Sequence, residues 1–238
     1  MTVYFLSDLH LCHERPHSNE LFVSFLNGLA RRAQAVYILG DLLEYWVGDD
    51  TLSHDPPGFI GAMRTLAGDG VPIFLMHGNR DFLLGPKFTA ATGCRLIEDP
   101  SIISLFGIPT LLMHGDTLCT DDVGYQNLRT QVRDPQWQHQ VLSQTWEQRV
   151  ALAESYRGES QKQTRDKSEY ITDVNQHAVE NAMRAAKVTR LIHGHTHRSA
   201  VHEFMLDGKP AQRIVLPDWY ENGGVLECDE RGYRMLTL

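Results

Sequence analysis

Three short stretches of this chain share one pattern: an apolar run, a histidine, a glycine, then a polar residue. They are "LMHGNRD" at Leu75–Asp81, "LMHGD" at Leu112–Asp116 and "LIHGHTHR" at Leu191–Arg198. Two more apolar runs close on carboxylates: "SDLH", with Asp8 and His10 two apart, and "GDLLEYW", with Asp41 directly after a glycine. Carboxylate and imidazole without cysteine suit hard or borderline divalent ions such as Mn²⁺, Fe or Zn²⁺. Two such ions about 3.5–4 Å apart make a clamp for in-line attack of an activated water on phosphorus. Each motif alone has a plainer reading, because a glycine–aspartate pair after a strand is commonly a turn or a helix cap. Their ordered co-occurrence, each at the end of an apolar run, points to a dinuclear site. On an extended segment, alternation puts His193, His195 and His197 on one side, and Asp8 and His10 likewise.

Those residues need a scaffold that ends several strands together. The runs "TVYFLS", "AVYILG", "VPIFLM", "PTLLMH" and "TRLIHG" are β-rich, and several are apolar on both faces, as strands of a sheet covered on two sides are. Between them, "SNELFVSFLNGLARR" has Leu21, Phe22, Phe25, Leu26 and Leu29 at helical spacing with Ser18 as its expected N-cap, and "PPGFIGAMRTLAGDG" reads as a helix stopped by glycine. Strand–helix–strand units of this length predict a layered α/β fold, with ligands gathering beyond the carboxyl ends of the strands. After residue 199 the runs "AVHEFML", "QRIVLPDW", "GGVLECD" and "YRMLTL" suit a second, more antiparallel sheet. Residues 121–173 carry helical patterning and no strand signal. They read as a helical insertion over a core formed by residues 1–120 and 174–238.

Composition narrows the function. The chain has 238 residues, enough for a large core, with 42% apolar and 22% charged residues. A formal net charge of −8 argues against a general nucleic-acid binder, which needs a basic surface. The cysteines Cys12, Cys94, Cys119 and Cys228 form no C-x-x-C pair, so reduced thiols and a cytoplasmic location are expected. No apolar run reaches the ~18 residues that span a bilayer, and "MTVYFLSDLH" lacks the basic start of a signal peptide. A peripheral contact with a membrane surface stays open.

The ordered set D-x-H, G-D, G-N-R-D, H-G-D and G-H-T-H resembles the signature of the calcineurin-like metallophosphoesterases. Its longer forms, "FLSDLHLC", "GDLLEYWVGDD", "HGNRDFLLG", "LMHGDTLCTDD" and "IHGHTHR", resemble the members that act on a nucleotide-linked lipid in lipid A biosynthesis. The resemblance implies a layered β-sandwich flanked by helices, with residues 121–173 as a lid. It implies two divalent ions, most simply Mn²⁺, one held by Asp8, His10, Asp41 and His197, the other by Asp41, Asn79, His114 and His195. Asn79, Arg80 and His195 take catalytic roles, and Arg80 faces charge on the phosphoryl oxygens. Asn79, Arg80, Asp122, Tyr125, Arg157, Ser160, Thr164, Lys167 and His195 are the implied substrate contacts. His77 and His193 default to structural roles, and Asp116 to a supporting acceptor. The expected reaction is hydrolysis of the diphosphate bond of UDP-2,3-diacylglucosamine by attack on the α-phosphorus, at the cytoplasmic face of the inner membrane. The competing reading is a phosphodiesterase or phosphatase for a soluble nucleotide or phosphoprotein. A binding scaffold that has lost catalysis should show broken ligand positions, and the motifs here are intact. Leu128, Val132, Trp137, Val141 and Trp146 are candidates for an acyl-chain groove, and equally for packing within the lid.

Overall fold

The computed structural model describes residues 1–54, 57–166 and 169–238, with side chains placed for all of these except 159–166 and 169–170. Its first strand shows how the layers arise. In β1 (Val3–Leu6) all four residues are buried, but alternate side chains leave opposite faces. Tyr4 and Leu6 pack in one core with Phe22, Phe25, Leu26 and Met63, whereas Val3 and Phe5 pack in another with Leu112, Ile192, Ile214 and Leu226. The strand therefore lies between a helical layer and a second sheet.

The remaining strands are β2 (Ala35–Leu39), β3 (Ile73–Met76), β4 (Arg95–Ile97), β5 (Ser101–Leu105), β6 (Ile108–Leu112), β7 (Arg190–His193), β8 (Ala200–Leu206), β9 (Lys209–Val215), β10 (Gly224–Asp229) and β11 (Gly232–Thr237). Among the described residues they form two mixed sheets, ordered β11-β10-β1-β2-β3-β4 and β5-β6-β7-β9-β8. The parallel blocks β1-β2-β3-β4 and β6-β7-β9 sit inside these sheets. This corrects in part the expectation that the runs after residue 199 all suit a second, more antiparallel sheet. β8 and β9 extend the sheet holding β6 and β7, while β10 and β11 cross over to close the edge beside β1. The choice follows burial: Val225 and Leu226 of β10 are wholly buried on opposite sides of one sheet, which requires layers on both.

The helices are α1 (Pro16–Asn27), α2 (Thr51–His54), α3 (Ile60–Gly68), α4 (Pro86–Thr92), α5 (Val123–Val132), α6 (Pro135–Leu142), α7 (Trp146–Asp166), α8 (Glu169–Thr172) and α9 (Gln176–Ala186). α1, α3 and α4 cover the first sheet, and Val179 and Met183 of α9 cover Leu111 and Leu191 of the second. α1 starts two residues before the expected cap, because Pro16 has its φ preset for the first helical turn. Ser18 lies inside the helix and its hydroxyl donates to the Trp219 carbonyl at 3.3 Å.

Helices α5–α8 lie between residues 123 and 172, and polar anchors tie α5 and α7 down. The Asp122 carboxylate caps α5, accepting from the Tyr125 amide at 3.0 Å. Asp116 accepts from the Tyr125 hydroxyl and from Arg129 Nε, each at 2.7 Å. Arg149, nearly buried, donates from α7 to the Val47 carbonyl and the Asp50 carboxylate.

Phe22 sets its ring 5.5 Å from Phe59 and 6.0 Å from Trp219, whose amide donates to the Asp8 carbonyl at 3.1 Å. Phe22→Ala is expected to cost about 3–5 kcal/mol. The measurement is a lowered urea midpoint at unchanged m-value.

Candidate dinuclear metal centre

The carboxyl ends of β1, β2, β3, β6 and β7 deliver the motif residues to one cleft between the sheets. Parallel pairing aligns those ends, with Leu6 beside Ile38, Leu39 beside Met76, and Leu112 beside Ile192. Extension alone does not aim the side chains. Asp8 (φ 55°), His10 (48°), Asp41 (51°), His195 (68°) and His197 (55°) all have left-handed backbone, which non-glycine residues adopt uncommonly and at a cost. Tertiary hydrogen bonds hold these turns: the Asp8 amide to the Gly40 carbonyl at 3.2 Å, His10 to Asp41 at 2.9 Å and Leu11 to Leu42 at 2.9 Å.

This geometry corrects the alternation argument for "LIHGHTHR". His193, still in β7, is fully buried away from the cleft. Its Nδ1–H donates to the Gly194 carbonyl at 2.8 Å, and its Nε2 meets Arg213 at 3.3 Å. Beyond Gly194 the left-handed turns send the other two rings to different partners. His195 Nδ1 lies 2.9 Å from Asn79 Oδ1, and His197 Nε2 lies 3.3 Å from Asp8 Oδ1.

Two groups of donors result. In the first, Asp8, His10 and His197 offer ligand atoms within 4.8 Å of one another. Asp8 Oδ2 is occupied by the Ser7 hydroxyl and, at 2.8 Å, the His195 amide, so Oδ1 is left facing the two rings without a hydrogen-bond partner. In the second, Asn79 Oδ1 lies 2.9 Å from both His114 Nε2 and His195 Nδ1. Nδ1–H of His114 donates to the Leu39 carbonyl at 2.9 Å, which turns Nε2 to the cleft. Asp41 stands between the groups. Its Oδ2 is 3.8 Å from His10 Nε2, and its Oδ1 is 3.8 Å from His114 Nε2 and accepts the Arg80 amide at 2.8 Å.

The electrostatics are those of a buried anionic site. Burial drives the Asp41 carboxyl up to about 7, with Asp81 and Asp8 adding to the shift. Burial opposes protonation of His114, yet the charges of Asp41, Asp116 and Asp8 prevail and lift it to about 9. Burial alone would raise Asp8, but the His197 imidazole 3.3 Å from its Oδ1, with His114 and His10 nearby, holds it far below the usual carboxylate range. Burial lowers His10 well below its ordinary value, and lowers His195 to about 4 with His114 contributing. Converging carboxylates and imidazoles, with a buried carboxylate oxygen left orphaned, fit divalent cations by donor type.

Glycine makes the approach possible. A Cβ on Gly78 would fall 2.8 Å from Asp41 Cγ, and closer still to its Oδ1 and amide nitrogen. The same loop is pinned by Asp81, fully buried, which accepts from the amides of Gly78 and Leu42 at 2.8 Å each. Asp81 is thus a backbone anchor and not an ion-pair partner for Arg80. His77 has a structural contact, its Nε2 lying 2.8 Å from the Leu84 carbonyl.

An apolar groove opens directly from the cleft. Asn79, Arg80, Tyr125 and Arg157 line it beside Leu128, Val132, Trp137 and Val141. Trp146 lines a different depression, with Leu11, Phe59 and Trp46. The Tyr125 hydroxyl is committed to Asp116, and its ring lies 5.7 Å from His195. Asp122 caps α5 outside the groove lining. Lys167 and the side chains of Ser160 and Thr164 lie outside the described residues. Sequence reasoning passed over Glu44, Arg133 and Tyr220. Arg133 donates to the Gly78 carbonyl at 2.8 Å, and Tyr220 stacks on His10 at 5.4 Å. Glu44 was visible three residues after Asp41 in "GDLLEYW", but nothing local marks where its carboxylate points.

The calcineurin-like phosphoesterase family model matches residues 1–199. Among curated relatives, the UDP-2,3-diacylglucosamine hydrolase of Pseudomonas entomophila is 48% identical over 237 residues, covering 98% of this chain and 97% of that protein. That of Pseudomonas paraeruginosa is 49% identical over 234 residues, covering 98% of both chains. The protein of the same name from Stenotrophomonas maltophilia is 45% identical over 245 residues, covering all of this chain and 99% of its own.

Gly78→Ala is expected to abolish divalent-ion binding in isothermal titration. Gly68→Ala, where a Cβ meets nothing within 4 Å, should leave it intact. A second expectation concerns acid. Burial, then Arg213, lowers His193 to about 3, so between the ordinary value near 6.5 and 3 the unfolded chain binds a proton that the folded one refuses. This contribution to stability is lost as pH falls through that window. His193→Gln, which keeps an acceptor for Arg213, should flatten part of the decline in melting temperature of EDTA-treated protein between pH 6.5 and 4.

Proposed function

The chain belongs to the calcineurin-like phosphoesterase family, and from that premise we infer that it hydrolyses UDP-2,3-diacylglucosamine, in lipid A biosynthesis, to UMP and 2,3-diacylglucosamine 1-phosphate. The observation that carries the substrate is the shared lining: Asn79 and Arg80 belong both to the donor cleft and to the apolar groove. A lipid-linked diphosphate needs a polar centre and an apolar channel in that relation. A soluble nucleotide needs only the first.

Asp8, His10, Asp41 and His197 would hold one divalent ion, and Asp41, Asn79, His114 and His195 the other. The division is supported by Asp41 turning one oxygen to His10 and the other to His114. Mn²⁺ is the ion that the family resemblance implies, and a thiolate-free set of three oxygen ligands and four imidazoles accommodates it. When bound, such ions lower the pKa of water and neutralise charge on phosphoryl oxygens.

The chain's own groups supply the rest. Arg80 is carried on an amide bonded to Asp41, so its guanidinium is delivered to the cleft, where it meets developing phosphoryl charge. Water attacks the α-phosphorus, the bond to the bridging oxygen breaks, and the sugar 1-phosphate leaves as a stable oxyanion that needs no strong general acid. Arg157, on the groove wall, offers a second positive charge for the diphosphate. Asp122, Tyr125, Ser160, Thr164 and Lys167 complete the proposed substrate contacts by resemblance, with Tyr125 contributing its ring. Leu128, Val132, Trp137 and Val141 receive the acyl chains.

Among the described residues no helix is long and apolar enough to cross a membrane. Val123 and Leu142, both exposed on helices next to the groove, support a peripheral contact through which the lipid enters. This contact would lie on the cytoplasmic face of the inner membrane.

Purified protein with Mn²⁺, the lipid in detergent and ¹⁸O-enriched water tests the reaction by phosphorus NMR. Labelled UMP beside unlabelled sugar 1-phosphate is expected. Hydrolysis of simple phosphodiesters without turnover of the lipid would keep the ion site and discard the substrate. Asp41→Ala should reduce kcat by about 10²–10³-fold or more, on the order of the loss when a group serving the transition state directly is removed. Near-normal turnover in that variant would rule out the bridging role.

A further inference from the structure

Glu44 is used by none of the steps above, yet its side chain is only 4% exposed. A buried carboxylate is costly unless cations and donors surround it, so its partners are informative. Its backbone is fixed first, because the Glu44 amide donates to the Leu11 carbonyl at 3.1 Å, bracing the β1 and β2 loops together. One carboxylate oxygen, Oε2, pairs with Arg15 and lies 3.7 Å from His10 Nδ1, the ring nitrogen that faces away from Asp41. The other, Oε1, lies 2.9 Å from Arg157 Nε on α7. Arg15 in turn places its guanidinium 4.6 Å over the Tyr220 ring, which stacks 5.4 Å from His10 at 19°. His10 therefore has a carboxylate behind its buried, otherwise unpartnered Nδ1 and a clamped aromatic ring against one face.

The pair with Arg157 differs from an ordinary surface bridge. Arg31 and Asp69 are both about half exposed, and such pairs contribute little. Glu44 is buried, and its partner belongs to a helix whose sequence is strongly polar. α7 is anchored at Arg149, and Arg157 comes eight residues later, about 12 Å further along the axis.

We propose that Glu44 is a positioning residue that registers the lid on the metal centre, one carboxylate oxygen steadying His10 and the other holding Arg157 of α7. This rests on the ion-binding role given to His10 above. It adds that the lid arginine and the ion ligand are oriented by the same group, so that disturbing one arm disturbs the other. A residue that merely filled space would couple nothing.

The test uses the full-length chain and no lipid. Mn²⁺ affinity is read from the electron paramagnetic resonance signal of free Mn²⁺, and lid order from amide hydrogen exchange across residues 146–158. Glu44→Gln, which keeps the volume and removes the charge, should weaken Mn²⁺ binding about 10-fold, as loss of a group supporting a ligand histidine does. It should also speed α7 exchange. Arg157→Gln, at a partly exposed position that tolerates change, should speed α7 exchange to the same extent and weaken Mn²⁺ binding severalfold. The double variant should exchange no faster than either single one, because both cut the same contact. Arg31→Gln serves as the control and should move neither reading. Mn²⁺ affinity within twofold of wild type in Glu44→Gln, unchanged α7 exchange in either variant, or additive exchange in the double variant overturns the proposal. Wild-type protein that binds no Mn²⁺ overturns both this proposal and the ion site. The expected pattern in protein that leaves the lipid intact overturns only the substrate.

Discussion

Asp8 and Asp41 are carboxylates with almost no access to water, set at the ends of adjacent parallel strands. Burying two such groups together is costly unless each lone pair is met by a donor or a cation. Much of the surrounding architecture follows from that requirement. Ser7, the His195 amide and the Arg80 amide occupy the oxygens that face the protein. The oxygens that remain face imidazole nitrogens, and the arrangement is balanced only by positive charge placed between them. Raised Asp41 and raised His114 express the same fact from both sides of the pair.

Meeting that requirement shapes the backbone. Five of the seven candidate ligands sit in left-handed conformations, a cost met at Asp8, His10 and Asp41 by hydrogen bonds between the loops after β1 and β2. Asp81 does comparable work one loop away, bonding the Gly78 and Leu42 amides so that the β2 and β3 loops move as one body. Strain concentrated at strand ends, with well-packed apolar layers behind, is how a fold keeps a polar centre rigid while its interior remains ordinary.

The helical segment relates to the centre through polar contacts at its base. Asp116 joins the end of β6 to Tyr125 and Arg129 of α5. Arg149 and Arg157 join α7 to the loop after β2. Between these anchors runs the apolar groove, so the groups that fix the helices also frame the channel.

Much of this was legible in the residues themselves. The apolar runs identified the central strands because a strand covered on both sides must be apolar on both faces, and the D-x-H, G-D and H-G motifs marked where those strands end. The helical patterning of residues 121–173 was visible too, since apolar spacing is local, and α5 to α8 lie within that span. What local pattern misjudged was direction and partnership. Alternation put three histidines of "HGHTH" on one side, but left-handed turns at His195 and His197 separate them, and His193 turns to Arg213. Ser18 looked like a cap until Pro16 began the helix earlier. The allocation of β8–β11 between two sheets, and the three-way grip of Glu44, depend on residues far apart in the chain. The sequence by itself therefore determined the chemistry available and the strand ends that carry it, because residue type and periodicity are local properties. The tertiary structure decided which oxygen faces which nitrogen, because that is set by backbone turns that only contacts across the two sheets can hold.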